Sequence, residues 1–271
     1  MSALLQVAGL VKSYGGVHAV RGVTFAVDAG QILALIGPNG AGKSTCFNML
    51  NGQIPPDAGS IRLEGEEIVG LPPRAVWRRG VGRTFQITAT FPSMTVRENV
   101  QVTLLSFHNR LASFIGYAGA AYRAEADGLL ALVGMEAQAQ RPCGELAYGD
   151  LKRLELAIAL ANQPRLLLMD EPTAGMAPKE RVELMRLTAG IAREKNIGVL
   201  FTEHDMDVVF EHADAVMVLN RGELIARGTP EEVRRDPHVR AIYLGEGLLY
   251  DARHRQDQPD TQHQNQHGSA A

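Results

Sequence analysis

The chain has 271 residues, of which 45% are hydrophobic and 21% are charged, and its formal net charge is −3 at pH 7. These values are ordinary for a globular protein of one large domain or two small ones. The weakly acidic balance gives no electrostatic reason to expect nucleic acid as a partner. No apolar run approaches the roughly 20 residues that a membrane-spanning helix needs. The N-terminal residues do not resemble a secretory signal, and the 2 cysteines are too few for a disulfide framework, so a reducing cytosol is the expected setting.

Short strands separated by glycine-rich turns are predicted over residues 4–36. Apolar and polar residues alternate there with period 2, which indicates antiparallel strands that lead into a first core strand at residues 32–36. Tyr14 lies at one of the turns, in KSYGG. Its ring could stack on an adenine, or it could pack against its neighbours, as a lone tyrosine in a turn usually does.

The segment after the core strand matches the phosphate-loop pattern G-x-x-x-x-G-K-[ST] without departure, because residues 37–45 read GPNGAGKST. The glycines let the backbone turn tightly and direct N–H groups at a polyphosphate, while Lys43 reaches the β- and γ-phosphates. A helix that begins near Ser44 turns its positive end toward the anion, and the Ser44 hydroxyl can hold Mg²⁺. The pattern therefore predicts a nucleoside triphosphate ligand, with candidate contacts at Gly37, Pro38, Asn39, Gly40, Ala41, Gly42, Lys43, Ser44 and Thr45.

A helical region follows this first unit. Residues 60–69 read as a hairpin closed around Glu64-Gly65, and residues 96–135 have the helical periodicity of a separate subdomain. Gln86 lies between the two regions, in RTFQ. Its amide could reach Mg²⁺ or a water molecule at a nucleotide site, or it could be an ordinary loop amide, since a lone glutamine is no recognised motif.

The segment LAYGD comes directly before an amphipathic helix. Its residues are Leu146, Ala147, Tyr148, Gly149 and Asp150. A glycine at a helix N-terminus offers N–H groups and the positive end of the helix dipole to a phosphate. The alternative is a helix that is simply capped by Asp150.

Two apolar runs in the C-terminal half, at 166–169 and 198–201, read as fully buried strands separated by a helix at 178–195. Alternation of this kind predicts a parallel sheet with helices on its faces, and ligands bind at the carboxyl ends of such strands. Asp170 follows the first run and is placed to hold Mg²⁺, and Glu171 is placed to polarise the water that attacks a γ-phosphate. His204 follows the second run and could contact the γ-phosphate or position that water, or it could be a structural histidine at a strand end.

The end of the chain carries turn and capping signals. NRG at 220–222 predicts a hairpin, and Thr229 opens a capping box that predicts a last helix. Residues 251–271 are polar and poor in apolar side chains, which is typical of a disordered tail.

Taken in order, these motifs resemble those of the nucleotide-binding subunit of ABC transporters, over about residues 4–246. The resemblance implies an α/β fold of the P-loop NTPase type over residues 4–250, with an antiparallel β subdomain and a helical subdomain at about 88–160. It implies ATP and Mg²⁺ as ligands, and a head-to-tail dimer in which LAYGD of one protomer closes on the ATP of the other. The resemblance also implies that Tyr14 stacks on adenine and that Gln86 is the lid residue. It implies that Glu171 is the catalytic base and that His204 is the switch histidine. The Mg²⁺ ligands that it implies are Ser44, Gln86 and Asp170.

A narrower resemblance is to the longer of the two ATPases of branched-chain amino acid importers. It rests on RTFQ with FPSMTVRENV at 83–100, on LAYGD and its KRLE continuation, and on DEPTAGMAPKE, EHDMDVV and IYLGE. It implies a second ATPase as dimer partner, either a paralogue or a second copy, together with two permease chains and a periplasmic binding protein. The location would then be the cytoplasmic face of the inner membrane, with residues 91–100 near the groove that receives the permease.

Three other functions are alternatives to an ATPase of branched-chain amino acid import. Importers of urea, amides or aromatic acids use similar cassettes, which never touch the solute. An ABC ATPase that acts on ribosomes or DNA usually has two cassettes in one chain, whereas this chain has one and is acidic. A P-loop kinase would have no signature loop.

The sequence departs from the common ABC signature LSGGQ at three positions. Ala147 stands in place of Ser, Tyr148 in place of the first Gly, and Asp150 in place of Gln. Ala177 also stands where the wider family has Asp. The missing serine hydroxyl predicts that the backbone N–H groups around Gly149 carry more of the phosphate contact. Ala177 offers no side chain for a polar contact across the dimer, which predicts that one of the two composite sites is weaker than the other.

Overall fold

The structure, a computed structural model, describes residues 3–84, 90–110 and 122–244. Gln86 and the segment 251–271 lie outside these ranges. The strands are β1 (Leu5–Tyr14), β2 (Val17–Val27), β3 (Ile32–Ile36), β4 (Ala58–Leu63), β5 (Glu66–Glu67), β6 (Val81–Thr84), β7 (Leu166–Asp170), β8 (Gly198–Thr202), β9 (Ala215–Asn220) and β10 (Glu223–Gly228). The helices are α1 (Lys43–Leu50), α2 (Pro73–Arg78), α3 (Val96–Phe107), α4 (Arg123–Leu132), α5 (Tyr148–Leu160), α6 (Pro178–Lys195), α7 (Met206–His212), α8 (Pro230–Arg235) and α9 (Pro237–Leu244).

The central sheet has six strands in the order β10-β9-β3-β8-β7-β6. All of its neighbouring pairs are parallel except β9 with β10, which form the predicted hairpin. Every residue of β3, β7 and β8 is buried, as expected of apolar strands covered on both faces. The carboxyl ends of these three neighbouring strands meet at one edge, which confirms the predicted parallel sheet, and this is the edge at which ligands are expected to bind.

The two faces of this sheet are covered differently. Ile32, Ala34 and Ile36 pack in a core with side chains of α3 to α7. Leu33 and Leu35 point to the opposite core, which is closed by α1 and by the second sheet. That sheet is antiparallel in the order β2-β1-β4-β5, and β4 and β5 form the hairpin predicted at Glu64-Gly65. Both turn residues have positive φ, which is the backbone conformation that such a short connection needs.

Helices α3, α4 and α5 pack against one another in the region where the sequence predicts a helical subdomain. A capping box starts α3, since Thr95 Oγ1 accepts from the Glu98 backbone N–H and the Glu98 carboxylate accepts from Thr95. The buried Asn99 side chain ties the preceding loop to this helix through both backbone groups of Phe91. Within the part of the chain that the structure describes, no helix is long and apolar enough to cross a membrane.

Three helix ends differ from the prediction. Helix α1 begins at Lys43, one residue earlier than expected, with Gly42 as its N-cap. Asp150 does not cap α5, because the helix begins at Tyr148 and Ala147 is its N-cap. The capping box at Thr229 is confirmed, but it does not open the last helix, because α9 follows α8 and begins at a further proline, Pro237.

The buried imidazole of His212 should make the fold sensitive to acid. Burial lowers the pKa of His212 from its ordinary value of 6.5, and the nearby Glu211 carboxylate opposes this shift. Because the unfolded chain then binds a proton that the folded chain does not, the free energy of unfolding falls as the pH drops from about 6.5 to the folded-state pKa. The loss is about 1.4 kcal/mol for each unit of pKa difference.

Chemical denaturation at about pH 7.5 and about pH 5.5 measures this effect. His212→Gln should remove most of the fall between the two conditions. His238→Gln is the matched control, since the side chain of His238 is 88% exposed, and it should keep the wild-type fall. An unchanged pH dependence in His212→Gln would contradict the assignment.

Candidate active site

The phosphate-loop residues connect β3 to α1 and enclose the amine of Lys43. The Lys43 side chain is buried, and its Nζ donates to the carbonyl oxygens of Gly37 at 2.6 Å and Pro38 at 3.2 Å. Ser44 lies in the first turn of α1 and is exposed. Gly37 cannot be replaced without a shift, because a Cβ atom there would lie 2.1 Å from the Leu219 carbonyl oxygen. The loop therefore combines a cation, a helix N-terminus and an exposed hydroxyl, which is the chemistry that a polyphosphate requires.

Backbone hydrogen bonds hold this loop from two sides. The N–H of Gly222, in the β9–β10 turn, donates to the Ala41 carbonyl at 2.9 Å. The carbonyl of Gly222 in turn accepts from the Arg21 N–H of β2 at 2.8 Å. The turn thus bridges the phosphate loop and the antiparallel sheet, and it fixes the loop without using the side chains that a ligand would contact.

Asp170 ends β7 at the same edge of the sheet. Its Oδ1 accepts from the Thr202 hydroxyl at 2.8 Å, and its Oδ2 lies 3.6 Å from Nη2 of Arg83 on β6. Burial lowers the pKa of Arg83, and the Asp170 carboxylate opposes that shift. These contacts hold the carboxylate in place next to β8, the strand that lies between β7 and β3.

The next residue, Glu171, has a strained backbone and a close imidazole partner. Its φ is 49°, in the left-handed region that non-glycine residues seldom adopt. Its N–H donates to both the carbonyl and the hydroxyl oxygen of Thr202, each at 3.1 Å, which stabilises this conformation. Its Oε1 lies 2.8 Å from Nε2 of His204. The structure therefore brings together the carboxylate and the histidine that the sequence places 33 residues apart.

A second carboxylate, that of Glu203, ties the loops of this pair together. Its Oε1 accepts from the N–H of Thr173 at 2.8 Å and from its hydroxyl at 2.6 Å. Its Oε2 accepts from the His204 N–H at 3.2 Å. Burial raises the pKa of Glu203, and the hydrogen bonds from Thr173 and His204 oppose that shift. One buried side chain thus spans the loop after Glu171 and the loop that carries His204.

The signature segment and Tyr14 lie on other elements. Ala147 to Asp150 form the N-cap and first turn of α5, which packs against α3, α4 and α6. Tyr14 ends β1 with 49% of its surface exposed, and Lys12 Nζ lies 5.7 Å from the centroid of its ring. Within the described residues, the carboxylates and the histidine are brought together at the sheet edge, while the signature segment belongs to the helical region.

Sequence reasoning missed four side chains of this site: Arg83, Thr173, Thr202 and Glu203. Only the polar residue at the end of β8, Thr202, carried a usable signal, because it follows a buried apolar run at the binding edge. Thr173 and Glu203 pair across 30 residues, a distance at which no local pattern operates.

Comparison with known proteins identifies the family of the chain. The protein-family model described as ABC transporter matches residues 20–174. The chain belongs to the ABC transporter family. A second model, described as branched-chain amino acid ATP-binding cassette transporter, matches residues 223–248 of this ABC ATPase.

Curated relatives of this ABC ATPase align over nearly their whole length. It is 43% identical over 253 residues to the high-affinity branched-chain amino acid transport ATP-binding protein BraF of Pseudomonas aeruginosa, covering 90% of this chain and 98% of that one. It is 41% identical over 254 residues to LivG of Escherichia coli, which has the same description, with the same coverage. The lipopolysaccharide export ATP-binding protein LptB of Escherichia coli is 35% identical over 245 residues, again with 90% and 98% coverage.

Solved structures show the same cassette fold. The ADP conformation of an ATP-binding cassette of an ABC transporter superposes with a TM-score of 0.81 at 30% identity, covering 90% of this chain and 100% of that one. A nucleotide-free cassette gives 0.80 at 30% identity, covering 89% and 99%. Both comparisons confirm the predicted fold class.

Removing the Glu203 carboxylate should slow ATP hydrolysis. Glu203→Ala leaves three donors, on Thr173 and His204, without their acceptor, and each buried unpaired donor costs about 1–3 kcal/mol. We expect the loops to shift and kcat to fall about tenfold, with the KM for ATP nearly unchanged. Glu203→Gln keeps an amide oxygen for Thr173 and should lie closer to wild type. Steady-state phosphate release from the assembled transporter tests this, and wild-type kcat in Glu203→Ala would contradict it.

Proposed function

We propose that this ABC ATPase energises the import of branched-chain amino acids or closely related small solutes through separate permease chains. The proposal is supported by identities of 43% and 41% to ATP-binding proteins of high-affinity branched-chain amino acid transport, against 35% to an export ATPase. Import of urea, amides or aromatic acids is the alternative. The residues that line the ATP site do not discriminate between these solutes, because they do not contact the solute.

The observation that carries the ATPase part of the proposal is the arrangement at one edge of the sheet. A phosphate loop follows β3, and the Glu171–His204 pair follows the neighbouring strands β7 and β8. In this arrangement Lys43 and the N–H groups at the start of α1 bind the phosphates, with the other residues of Gly37–Thr45 shaping the loop. Tyr14, exposed at the end of β1, stacks on the adenine.

The oxygen atoms at the same edge suit Mg²⁺. Ser44 offers a hydroxyl and Asp170 a carboxylate, which are the hard ligands that this ion prefers, and Gln86 would add an amide oxygen. The bound ion would neutralise charge that develops on the transferred phosphoryl group. Thr202 and Arg83 keep the Asp170 carboxylate in position for this role.

In this proposal Glu171 accepts the proton of the attacking water. Its carboxylate is fixed from the backbone side by Thr202 and at Oε1 by His204. A positioned general base of this kind contributes about 10²–10⁴-fold to a rate. In this proposal His204 orients the carboxylate and contacts the γ-phosphate.

The signature segment Leu146–Asp150 needs a partner to act in hydrolysis. We propose a head-to-tail dimer with a second ABC ATPase, in which the N–H groups at the start of α5 bind the ATP of the partner. The Ser-to-Ala change at Ala147 leaves this contact to the backbone. The dimer would bind two permease chains at the cytoplasmic face of the inner membrane, and a periplasmic binding protein would deliver the solute to the permeases.

Affinity purification through a tag on this chain tests the assembly. Membranes are solubilised in detergent, and the retained chains are identified by mass spectrometry and compared with those held by the same tag on an unrelated protein. We expect a second ABC ATPase, either a paralogue or untagged copies of this chain, and two multispanning permease chains in stoichiometric amounts. Recovery of ribosomal proteins without permeases would contradict a transport role and favour a non-transport ABC ATPase.

A further inference from the structure

The side chain of Tyr148 joins the signature segment to the loop between β7 and α6. Tyr148 is the first residue of α5, and its hydroxyl donates to the Ala174 carbonyl oxygen at 3.0 Å. The two residues are 26 positions apart in the sequence. This bond directly links the start of α5 to the turn that follows Glu171.

The backbone of this turn is shaped to the tyrosine ring. Gly175 has a φ of 79°, and a Cβ atom there would lie 3.3 Å from Cε1 of Tyr148 and 3.5 Å from its hydroxyl oxygen. A side chain at position 175 would therefore be strained and would press on the ring. The ring and the turn fit each other only because residue 175 is a glycine.

One member of a buried ion pair also lies close to the ring. Lys152 lies one helical turn after Tyr148, and its Nζ is 5.5 Å from the centroid of the ring, within the range of a cation–π contact. The same Nζ lies 3.0 Å from Glu155 Oε2, and both charged side chains are buried. Lys152, on the same helix, thus stabilises the orientation of the Tyr148 ring.

The start of α6 also lies close to the signature segment. The Glu180 carboxylate, in the first turn of α6, lies where a Cβ atom of Gly149 would be 3.1 Å away, and it accepts from the Ala177 N–H at 3.3 Å. At the other end of the loop, Thr173 is bound by Glu203. The loop 173–177 is therefore held by Glu203 at Thr173, by Tyr148 at Ala174 and by Glu180 at Ala177.

We propose that Tyr148 is a positioning residue that holds the loop 173–177 against the first turn of α5, so that the two segments move as one unit. The inference rests on the proposed function, in which the signature segment binds the ATP of the partner ATPase. The tyrosine supplies within the chain a polar link next to positions 147 and 177, where alanine side chains can offer none. It also connects the signature segment, through Thr173 and Glu203, to the Glu171–His204 pair.

Hydrogen–deuterium exchange on the nucleotide-free chain tests the positioning role. Tyr148→Phe keeps the ring against Gly175 and over Lys152 but loses the bond to Ala174. We expect the amides of residues 173–177 to exchange about fivefold faster, as the loss of one neutral hydrogen bond predicts. Tyr122→Phe, which removes a hydroxyl from the helical region, is the matched control and should leave these amides at the wild-type rate. Wild-type exchange at 173–177 in both Tyr148→Phe and Tyr148→Ala would overturn the proposal.

ATP hydrolysis by the assembled transporter gives a second readout that a general loss of stability would not produce. Tyr148→Phe should lower kcat about threefold and leave the KM for ATP within about twofold, because the phosphate loop is untouched. An equal rise in KM at unchanged kcat would overturn the link to the catalytic pair. If the wild-type transporter hydrolyses no ATP, the proposed function fails, and the exchange experiment still decides the role of Tyr148.

Discussion

Glu171→Gln should retain ATP but lose its hydrolysis, and the ATPase dimer should stay closed. Glutamine preserves the size of the side chain and can still contact His204, but it cannot accept the proton of the attacking water. We expect the rate of phosphate release to fall at least about 100-fold. In the proposed mechanism the dimer reopens after hydrolysis, so size-exclusion chromatography with ATP should show a persistent ATPase dimer in the variant and only a transient one in the wild type.

Glu194→Gln is the matched control for this experiment. Glu194 is exposed near the end of α6, so its substitution makes the same change of charge far from the sheet edge. It should hydrolyse ATP at the wild-type rate. Turnover by Glu171→Gln close to that of Glu194→Gln would remove Glu171 from the role of base, and the strained backbone at this residue would need another explanation.

Lys43→Ala should abolish ATP binding. The Lys43 amine is the buried cation of the phosphate loop, held there by the carbonyls of Gly37 and Pro38. Hydrogen bonds that involve a charged group contribute about 1.5–3 kcal/mol each, and the amine reaches two phosphates. We therefore expect the affinity for ATP to fall about 100-fold or more, as measured by isothermal titration calorimetry.

The control for this substitution is Lys195→Ala, which removes an exposed lysine at the end of α6. Circular dichroism on both variants checks that the fold is retained, because Lys43 also makes contacts within its own loop. Wild-type affinity in a folded Lys43→Ala variant would contradict the assignment of residues 37–45 as the phosphate site.

The strands and the phosphate loop could be predicted because their signals are local. The runs at 166–169 and 198–201 are apolar without alternation, which is typical of strands buried on both faces, and the structure confirms them as β7 and β8. The phosphate loop is identified by nine consecutive residues. Its neighbours at the sheet edge then follow from the rule that ligands bind at the carboxyl ends of parallel strands.

Contacts between distant side chains could not be predicted in this way. Glu203 with Thr173, and Tyr148 with Ala174, depend on how α5, α6 and the strand ends pack together. The observed start of α5, at Tyr148, differs from the predicted start after Asp150 for a related reason. Apolar periodicity defines the middle of a helix, whereas its first residue is set by tertiary contacts, here those of Tyr148. Gln86 lies outside the described residues, and its role as a lid residue stays a prediction.

The most direct measurement of the whole account is uptake of labelled leucine, urea and benzoate by cells that lack this chain. The cells are complemented with the wild-type chain, with Glu171→Gln or with the control Glu194→Gln, at matched levels of expression. We expect leucine uptake to be restored by the wild type and by Glu194→Gln but not by Glu171→Gln. Restored uptake of urea or benzoate instead would keep the ATPase mechanism and change the solute. Uptake of all three solutes that is the same with and without the chain would contradict the importer assignment.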